Sequence, residues 1–410
     1  FHANFAGYSF SYFYDKITGL LRFIGEKNHF QISYNTDQFD RIISWRVVDN
    51  QGVTYRFNQQ EITSTDLPSM GTLYGNSSTT GWLLTSMVHP TGDSIVFSYT
   101  NYGKSYPAFT RNASLSFDNP DPNYTLSQDG VQDSISQEPA YLTRIESNTT
   151  VVDFVLSGRD DIRGNGSKKL DTIRVRDRQT GTVKKKISFG YSYFTSSGLC
   201  YNTLPDSVSK YFKRRLKLNE LTINDTASLG SPYQFYYFND NGMPDKYSYS
   251  QDHWGYLNTG GTTFDECTPK GLIPTIGLGN DLSYSTVASI GKNRDCTPYL
   301  MATLTMDSIV YPSGGSTKLI YEPHYSQKAN PFMQPAGTVN GVTMISLSYT
   351  TPYITGGGQR IKTMRNYALG RLTGTLEYSY GSGLYMGAIR YNTSSLRLSA
   401  SQTRYQDVLS

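Results

Sequence analysis

The sequence contains no apolar run that could cross a membrane as a helix, which takes about 18 consecutive apolar residues. Its longest apolar stretches, such as residues 42–43 and 95–97, have the length of a strand. Charged residues make up 17% of the chain, below the roughly 25% of an average soluble domain. Ser, Thr, Asn, Gln and Tyr supply the polar surface instead, a composition that is common outside the cytoplasm. We therefore expect a non-membrane, extracytoplasmic protein.

Excess charge of one sign is also scarce, since the formal net charge is +4. So small a value at this length indicates no polyanionic partner. Lysine and arginine cluster at residues 184–186 and 213–217, but a nucleic-acid groove would interleave aromatic side chains with such charges on one face. Both clusters precede alternating segments, where positive charge discourages aggregation of strand edges. We predict solvated strand edges here and no nucleic-acid partner.

Motifs for metals and cofactors are missing as well. The five histidines are scattered without a metal-ligand spacing, and there is no Cys-x-x-Cys pair. The glycines at 356–358 lack the Lys-Ser/Thr of a phosphate loop and the helix that such a loop precedes. They predict a bulge or a tight turn instead. The sequence thus predicts no metal site and no cofactor.

Cysteine is rare, with three residues in the chain. Cys267 and Cys296 share a Cys-Thr-Pro context and lie toward the two ends of a turn-rich segment. A disulfide that closes this loop is one interpretation, and two free thiols are the other. Cys200 stands alone in a loop rich in Gly, Ser and Asn.

Aromatic residues and glycine are abundant, with 34 Tyr, 19 Phe and 37 Gly. Tyr and Phe suit a pleated surface with one wet face, and Gly serves the turns between strands. The long Leu/Ala/Glu/Lys stretches of a helical protein are absent. We predict an all-β fold, and 410 residues exceed the usual size of one hydrophobic core.

An internal echo indicates how the strands are connected. Residues 86–99 and residues 308–321 each read as a short apolar strand, a Pro-x-Gly turn and an alternating return strand. The turn residues are Pro90 and Gly92 in the first block and Pro312 and Gly314 in the second. Proline presets φ for the turn and glycine supplies a positive φ, so each block predicts a β-hairpin. Weaker versions recur, which predicts serial antiparallel hairpins in large twisted or wound sheets.

Polar stretches divide the chain. We predict an N-terminal β domain at 1–112, a polar loop at 113–139, a β-hairpin domain at 140–250, a long loop with both Cys-Thr-Pro sites at 251–300, and a second β-hairpin region at 301–410.

No catalytic motif stands out. There is no Gly-x-Ser-x-Gly nucleophile elbow. Carboxylates for glycoside hydrolysis can come from any two strands that face each other, and nothing in the sequence distinguishes the candidates. These candidates are Asp160, Asp161, Asp265 and Glu266. In Asp252-His253-Trp254, adjacent strand residues point to opposite faces, so we predict that Trp254 is a packing anchor for the long loop. We expect no enzyme.

Several blocks resemble one family in the same order along the chain. They are residues 5–10, residues 81–92 with Trp82, residues 252–258 with Trp254, and residues 311–315 leading to 357–362. Together they resemble bacteroidete exported proteins with RHS or YD repeats. The resemblance implies export, with type IX secretion as a candidate route, and a β shell like that which encloses a C-terminal toxin in many relatives. The chain has no run of true YD repeats, so it would lie ahead of the array, with 301–410 leading to it.

Three functions follow as hypotheses. The first is a non-enzymatic scaffold, shell or lead-in segment at the cell surface or in the medium. The second is an adhesin module that binds glycan through exposed aromatic side chains, and the weakest is a glycoside-hydrolase-like enzyme. The chain begins with Phe1 rather than Met, so we expect both ends to be cuts in a longer polypeptide. The expected partners are the rest of that polypeptide, outer-membrane or secretion proteins, and a glycan in the second case.

Overall fold

The computed structural model describes residues 2–15, 17–18, 20–24, 30–66, 76–118, 124–164, 166–198, 200–225, 230–240, 242–252, 254–258, 296–328, 353–381, 383–385 and 402–407. The strands are β1 His2–Phe5, β2 Tyr8–Asp15, β3 Leu20–Ile24, β4 Gln31–Thr36, β5 Ile42–Val48, β6 Thr54–Asp66, β7 Asn76–Val88, β8 Ser94–Asn101, β9 Lys104–Asp118, β10 Tyr124–Glu138, β11 Ala140–Glu146, β12 Thr150–Gly158, β13 Lys168–Asp177, β14 Val183–Thr195, β15 Arg214–Asp225, β16 Tyr233–Tyr237, β17 Met306–Val310, β18 Ser316–Lys328, β19 Tyr353–Ala368, β20 Arg371–Glu377, β21 Gly383–Tyr385 and β22 Gln402–Asp407. The helices are α1 Asp206–Lys213 and α2 Pro298–Met301.

The all-β prediction is confirmed, because strands dominate the described residues and pair almost entirely antiparallel. Among these residues, neither helix has the length and apolarity that a membrane crossing requires.

The first three strands form a separate small sheet in the order β1-β2-β3. Alternation places Phe10 and Tyr12 of β2 on its inner face, where both are buried with Phe5. This face packs on Trp45 and Tyr55 of β5 and β6, which are also buried. Burying such large rings in tilted and edge-to-face contacts contributes area and about 0.5–1.5 kcal/mol per ring pair beyond it. An aromatic core therefore fixes the N-terminal end of the molecule.

The main sheet is built from hairpins laid edge to edge. Each strand hydrogen-bonds to the next from β4 to β8, β8 then pairs with β11, and the ladder continues strand by strand to β20. The β9–β10 hairpin branches from it through β6, and β22 pairs with β9. The predicted hairpins are confirmed, and the ladder crosses the predicted divisions at β8–β11 and β16–β17.

The predicted polar loop at 113–139 is wrong. Strands β9 and β10 pair along their length, from Tyr124 opposite Phe117 to Gln137 opposite Lys104. The polar composition suggested a loop because strands usually alternate apolar and polar residues. Here backbone hydrogen bonds between the two strands form the hairpin, and the Asp/Asn/Pro segment at 119–123 lies outside the described residues.

Three hairpin turns share one hydrogen-bond pattern. In residues 89–93 the N–H of Gly92 donates to the His89 carbonyl, and that of His89 donates to the Asp93 carbonyl. Residues 311–315 and 49–53 repeat both bonds. In each turn the fourth residue is a glycine with φ between +81° and +96°, the left-handed region that favours glycine. This is the three-residue hairpin loop with a glycine bulge, and it explains the Pro-x-Gly echo.

Candidate functional site

In seven hairpins of the ladder, the first strand has one extra residue, a bulge, relative to the strand that precedes it. Two of these bulges lie at Ile43 of β5 and Thr143 of β11, and the Gln60 side chain donates to the Ile42 carbonyl beside the first. The other five hairpins share a further contact, and their extra residues are Thr85, Asp171, Asn219, Asp307 and Lys362. A bulge interrupts the ladder and increases the local twist, so a nearby backbone group needs another partner.

A tyrosine of the returning segment supplies that partner in all five hairpins. Its hydroxyl donates a hydrogen bond to the carbonyl oxygen of the residue just before the bulge. The bonds run from Tyr99 to Leu84 (2.9 Å), Tyr191 to Leu170 (2.8 Å), Tyr237 to Leu218 (2.9 Å), Tyr321 to Met306 (2.9 Å) and Tyr380 to Ile361 (2.5 Å). We call these five pairs the tyrosine–bulge contacts.

Four of these contacts form a line across the sheet. Tyr191 lies opposite Leu218 in the ladder, and the carbonyl of Leu218 accepts the next tyrosine bond. Tyr237 in turn lies opposite Met306, and Tyr321 opposite Ile361. Each of the first three tyrosines therefore lies opposite the residue whose carbonyl accepts the tyrosine hydrogen bond of the next hairpin. One contact cannot shift register without disturbing its neighbour.

Burial raises the pKa of Tyr99, Tyr191, Tyr237 and Tyr321 above the ordinary tyrosine value. Each hydroxyl therefore keeps its proton at neutral pH and remains a donor. The half-buried rings cover apolar surface, while their polar tips reach the carbonyls.

A buried charged cluster lies beside the sheet between β12, β15 and the segment 242–252. The side chain of Asp161, whose residue is 3% exposed, accepts two hydrogen bonds of 2.7 Å from the Arg159 guanidinium. It also accepts the backbone N–H of Leu216 at 3.0 Å. Lys246 donates to the carbonyl oxygen of Asp161, and its Nζ lies 3.9 Å from the Asp161 carboxylate. The cluster ties three parts of the chain together.

The pKa values in this cluster follow from burial and pairing. Burial alone would raise the pKa of Asp161, but the hydrogen bonds and charge of Arg159 outweigh it and hold that pKa below its usual value. Burial lowers the pKa of Lys246 to about 8, with Asp161 opposing the shift. A carboxylate that is paired in this way is a structural anchor rather than a general acid.

Trp254 packs against the triple glycine of β19. A side-chain Cβ on Gly356 would lie 2.2 Å from Cζ3 of the Trp254 ring. The Asp252 carboxylate accepts the backbone N–H groups of Trp254 and Tyr256, both at 2.9 Å, which holds the turn that presents the ring. The glycines at 356–358 all have positive φ and form a bulge in β19, as predicted. His253 lies outside the described residues.

The other residues singled out by sequence lie at separate places. Trp82 of β7 packs edge-on against Trp45, with ring centroids 5.9 Å apart. Pro90 with Gly92 and Pro312 with Gly314 occupy the two equivalent hairpin turns. The structure does not bring these residues into one site.

Cys200, which the sequence analysis left alone in its loop, forms a disulfide. Because the chain has three cysteines, an intramolecular bond at Cys200 excludes the bridge between Cys267 and Cys296, which was one of the two open interpretations. Cys267 lies outside the described residues, and Cys296 directly precedes the turn into α2.

Of the four candidate catalytic carboxylates, the structure describes Asp160 and Asp161, and each of these two pairs with a cation. Asp161 is locked to Arg159, while Asp160 is exposed and pairs with Lys210 at 3.4 Å. Asp265 and Glu266 lie outside the described residues. Within the described part of the chain, no group of three or more His, Cys, Asp or Glu side chains is placed to hold a metal ion.

The interpretation of residues 213–217 as a solvated edge is wrong. Lys213 donates to the Gly198 carbonyl, and Arg215 donates to the Pro244 carbonyl. Lys217 pairs with Asp240 at 2.7 Å. Each of these cations therefore binds an irregular segment outside the strands. Lys213 is the last residue of helix α1, which the sequence analysis missed.

Sequence reasoning also missed the tyrosine–bulge contacts. The signal that could have found them is the echo, since Tyr99 and Tyr321 occupy the same place in the two matching blocks. The two blocks also pair in the same register, with Ser86 opposite Val96 and Ser308 opposite Lys318.

Comparisons with known proteins assign no family. No family model and no curated protein matches the chain. Among solved structures, the chain is similar to the N-terminal domain of the effector protein SpvB from Salmonella typhimurium strain LT2, at 12% identity and a TM-score of 0.19. The match covers 53% of this chain and 63% of that one, so it spans less than two thirds of that domain. A match with so low a TM-score supports no conclusion about the fold or the function of this chain.

Replacing Tyr321 with Phe should destabilise the protein. The substitution removes the donor to the half-buried Met306 carbonyl and keeps the ring, so we expect a loss of about 1–3 kcal/mol in the free energy of unfolding. Urea unfolding measures it. Tyr236→Phe is the matched control, because that hydroxyl bonds only a neighbouring glutamine at the surface. Equal stability of the two variants would contradict the contact.

Stability should rise with pH because of Lys246. Its folded pKa of about 8 lies below the unfolded value of ~10.4, so the unfolded chain binds more protons between the two values. From pH 7.5 to 9.5 we expect the free energy of unfolding of the native protein to gain roughly 1–2 kcal/mol relative to Lys246→Met. Lys185→Met, at an exposed position, should keep the native slope. Parallel curves for native protein and Lys246→Met would refute the assignment.

Replacing Gly356 with Ala should dislodge Trp254. The new Cβ would clash with the indole at a φ of +134°, which together cost about 2–4 kcal/mol. Gly374→Ala in β20 is the control, since its new Cβ would meet only Asn366 at 3.9 Å. Unfolding followed by tryptophan fluorescence separates the two variants, and a neutral Gly356→Ala would show that the ring does not occupy this place.

Proposed function

We propose that this chain is a non-enzymatic β scaffold, a secreted or cell-surface segment of an RHS/YD-related protein. The observation that carries the proposal is the repetition of one hairpin unit across the sheet. From β13 to β20 each added hairpin repeats the same bulge, the same tyrosine bond and the same register. A sheet built in this way can be lengthened by the addition of further hairpins of the same kind.

The use of the polar side chains supports a structural role. Asp153 pairs with Arg144 and Arg176, and Glu322 pairs with Arg360, each across neighbouring strands. The buried Asp161 cluster joins irregular segments to the sheet. In these places charges bind parts of the chain to each other.

Export is supported by the sequence. The composition is poor in charge, and the blocks at 5–10, 81–92, 252–258 and 311–362 resemble exported RHS/YD proteins in order. In that setting the chain serves as a lead-in or plug of a shell, its partners are the rest of its polypeptide and outer-membrane or type IX secretion proteins, and a toxin would be the cargo.

The test is fractionation of the source cells with an antiserum raised against this chain. We expect a species much heavier than 45.9 kDa in the outer-membrane or medium fraction, and its digestion by protease added to intact cells. A cytoplasmic enzyme that survives the same protease treatment is the control. A 45.9 kDa species confined to the cytoplasm would overturn the proposal.

A further inference from the structure

A half-open groove lies between α2 and β18 on the second half of the sheet. Its volume is about 390 Å³, toward the lower end of the range for pockets that hold compact ligands, roughly 300–1,000 Å³. Strand β18 lines it from Lys318 to Pro323, while α2 contributes Tyr299 and the turn directly after β16 contributes Phe238. Asp307 of β17 and Gln359 of β19 complete the walls.

Two aromatic rings in this groove face solvent. Tyr299 is 64% exposed and Phe238 is 39% exposed, although large apolar side chains are usually covered. The position of Tyr299 is fixed because its neighbours Leu300 and Met301 are buried and anchor the short helix. The rings therefore offer flat apolar surface that the fold itself does not cover.

The polar groups of the groove carry opposite charges in pairs. Asp307, the bulged residue of β17, lies 3.8 Å from Lys318. Glu322 pairs with Arg360 at 2.9 Å. Because the charges cancel locally, the groove does not favour a charged ligand. Gln359 adds one side chain that both donates and accepts hydrogen bonds.

We propose that this groove binds a neutral saccharide. The C–H face of a sugar ring is apolar and can stack on Tyr299 and Phe238. Its hydroxyls both donate and accept, so they can satisfy Asp307 and Lys318 together. A proline-rich peptide fits less well, because its prolines have no N–H to offer the carboxylates. The proposal is independent of the scaffold function, and either can fail without the other.

The experiment is a screen of the purified chain on an array of neutral and acidic glycans, followed by calorimetry with the best neutral oligosaccharide. We expect Tyr299→Ala to weaken that binding about tenfold, equal to ~1.4 kcal/mol. Tyr236→Ala is the matched control, since Tyr236 is also an exposed tyrosine, at 50% exposure, but lies outside the groove lining. Because Tyr299 is exposed, its loss should leave the circular dichroism spectrum unchanged.

A second variant separates a saccharide from a purely apolar ligand. Gln359→Leu keeps the size of the side chain and removes its hydrogen-bonding groups, so it should weaken a saccharide but strengthen an apolar ligand. Binding of acidic glycans alone, equal binding by Tyr299→Ala and the native chain, stronger binding by Gln359→Leu, or no binding to any neutral glycan would each overturn the proposal.

Discussion

From β13 to β20 the sheet depends on the hydrogen bond from a tyrosine hydroxyl to the carbonyl beside the bulge of each hairpin. A bulge gives a long ladder its twist, but it interrupts the pairing and leaves a backbone acceptor that is costly to bury unpaired. A tyrosine pairs this acceptor because its hydroxyl reaches the carbonyl while its ring covers apolar surface. A phenylalanine could cover the same surface but could not donate the hydrogen bond. A chain with 34 Tyr and 19 Phe has many residues of the kind that the contact needs.

The same contact couples neighbours. The carbonyl of Leu218 accepts from Tyr237 while Leu218 itself stands opposite Tyr191. The bulge of a hairpin therefore exists only when the preceding strand lies beside it, as in repeat proteins whose stability comes from interfaces between adjacent units.

The irregular segments are held to the sheet by buried polar residues. Lys246 donates a hydrogen bond to the carbonyl of Asp161, and the Asp252 carboxylate accepts the backbone N–H of Trp254 in the turn that positions this ring.

Part of this architecture could be predicted from sequence because it is local. Pro90 and Gly92 define a turn by their own φ preferences, and the alternation after them defines the return strand. The bulge at Thr85 is not local, since it exists only relative to the pairing of β7 with β6. The partners of Asp161 are likewise scattered, with Lys246 far along the chain. Polar composition misled the prediction at 113–139, where pairing between backbones outweighs side-chain pattern.

We infer that the hairpins from β4 to β20 form one coupled sheet rather than separate domains. Native-state hydrogen exchange of the full chain, read by mass spectrometry on peptides from each region, tests it most directly. If the sheet is coupled, the slowest amides of β7, β13, β15, β17 and β19 exchange with one common free energy of opening. Three distinct free energies, one each for residues 1–112, 140–250 and 301–410, would contradict it.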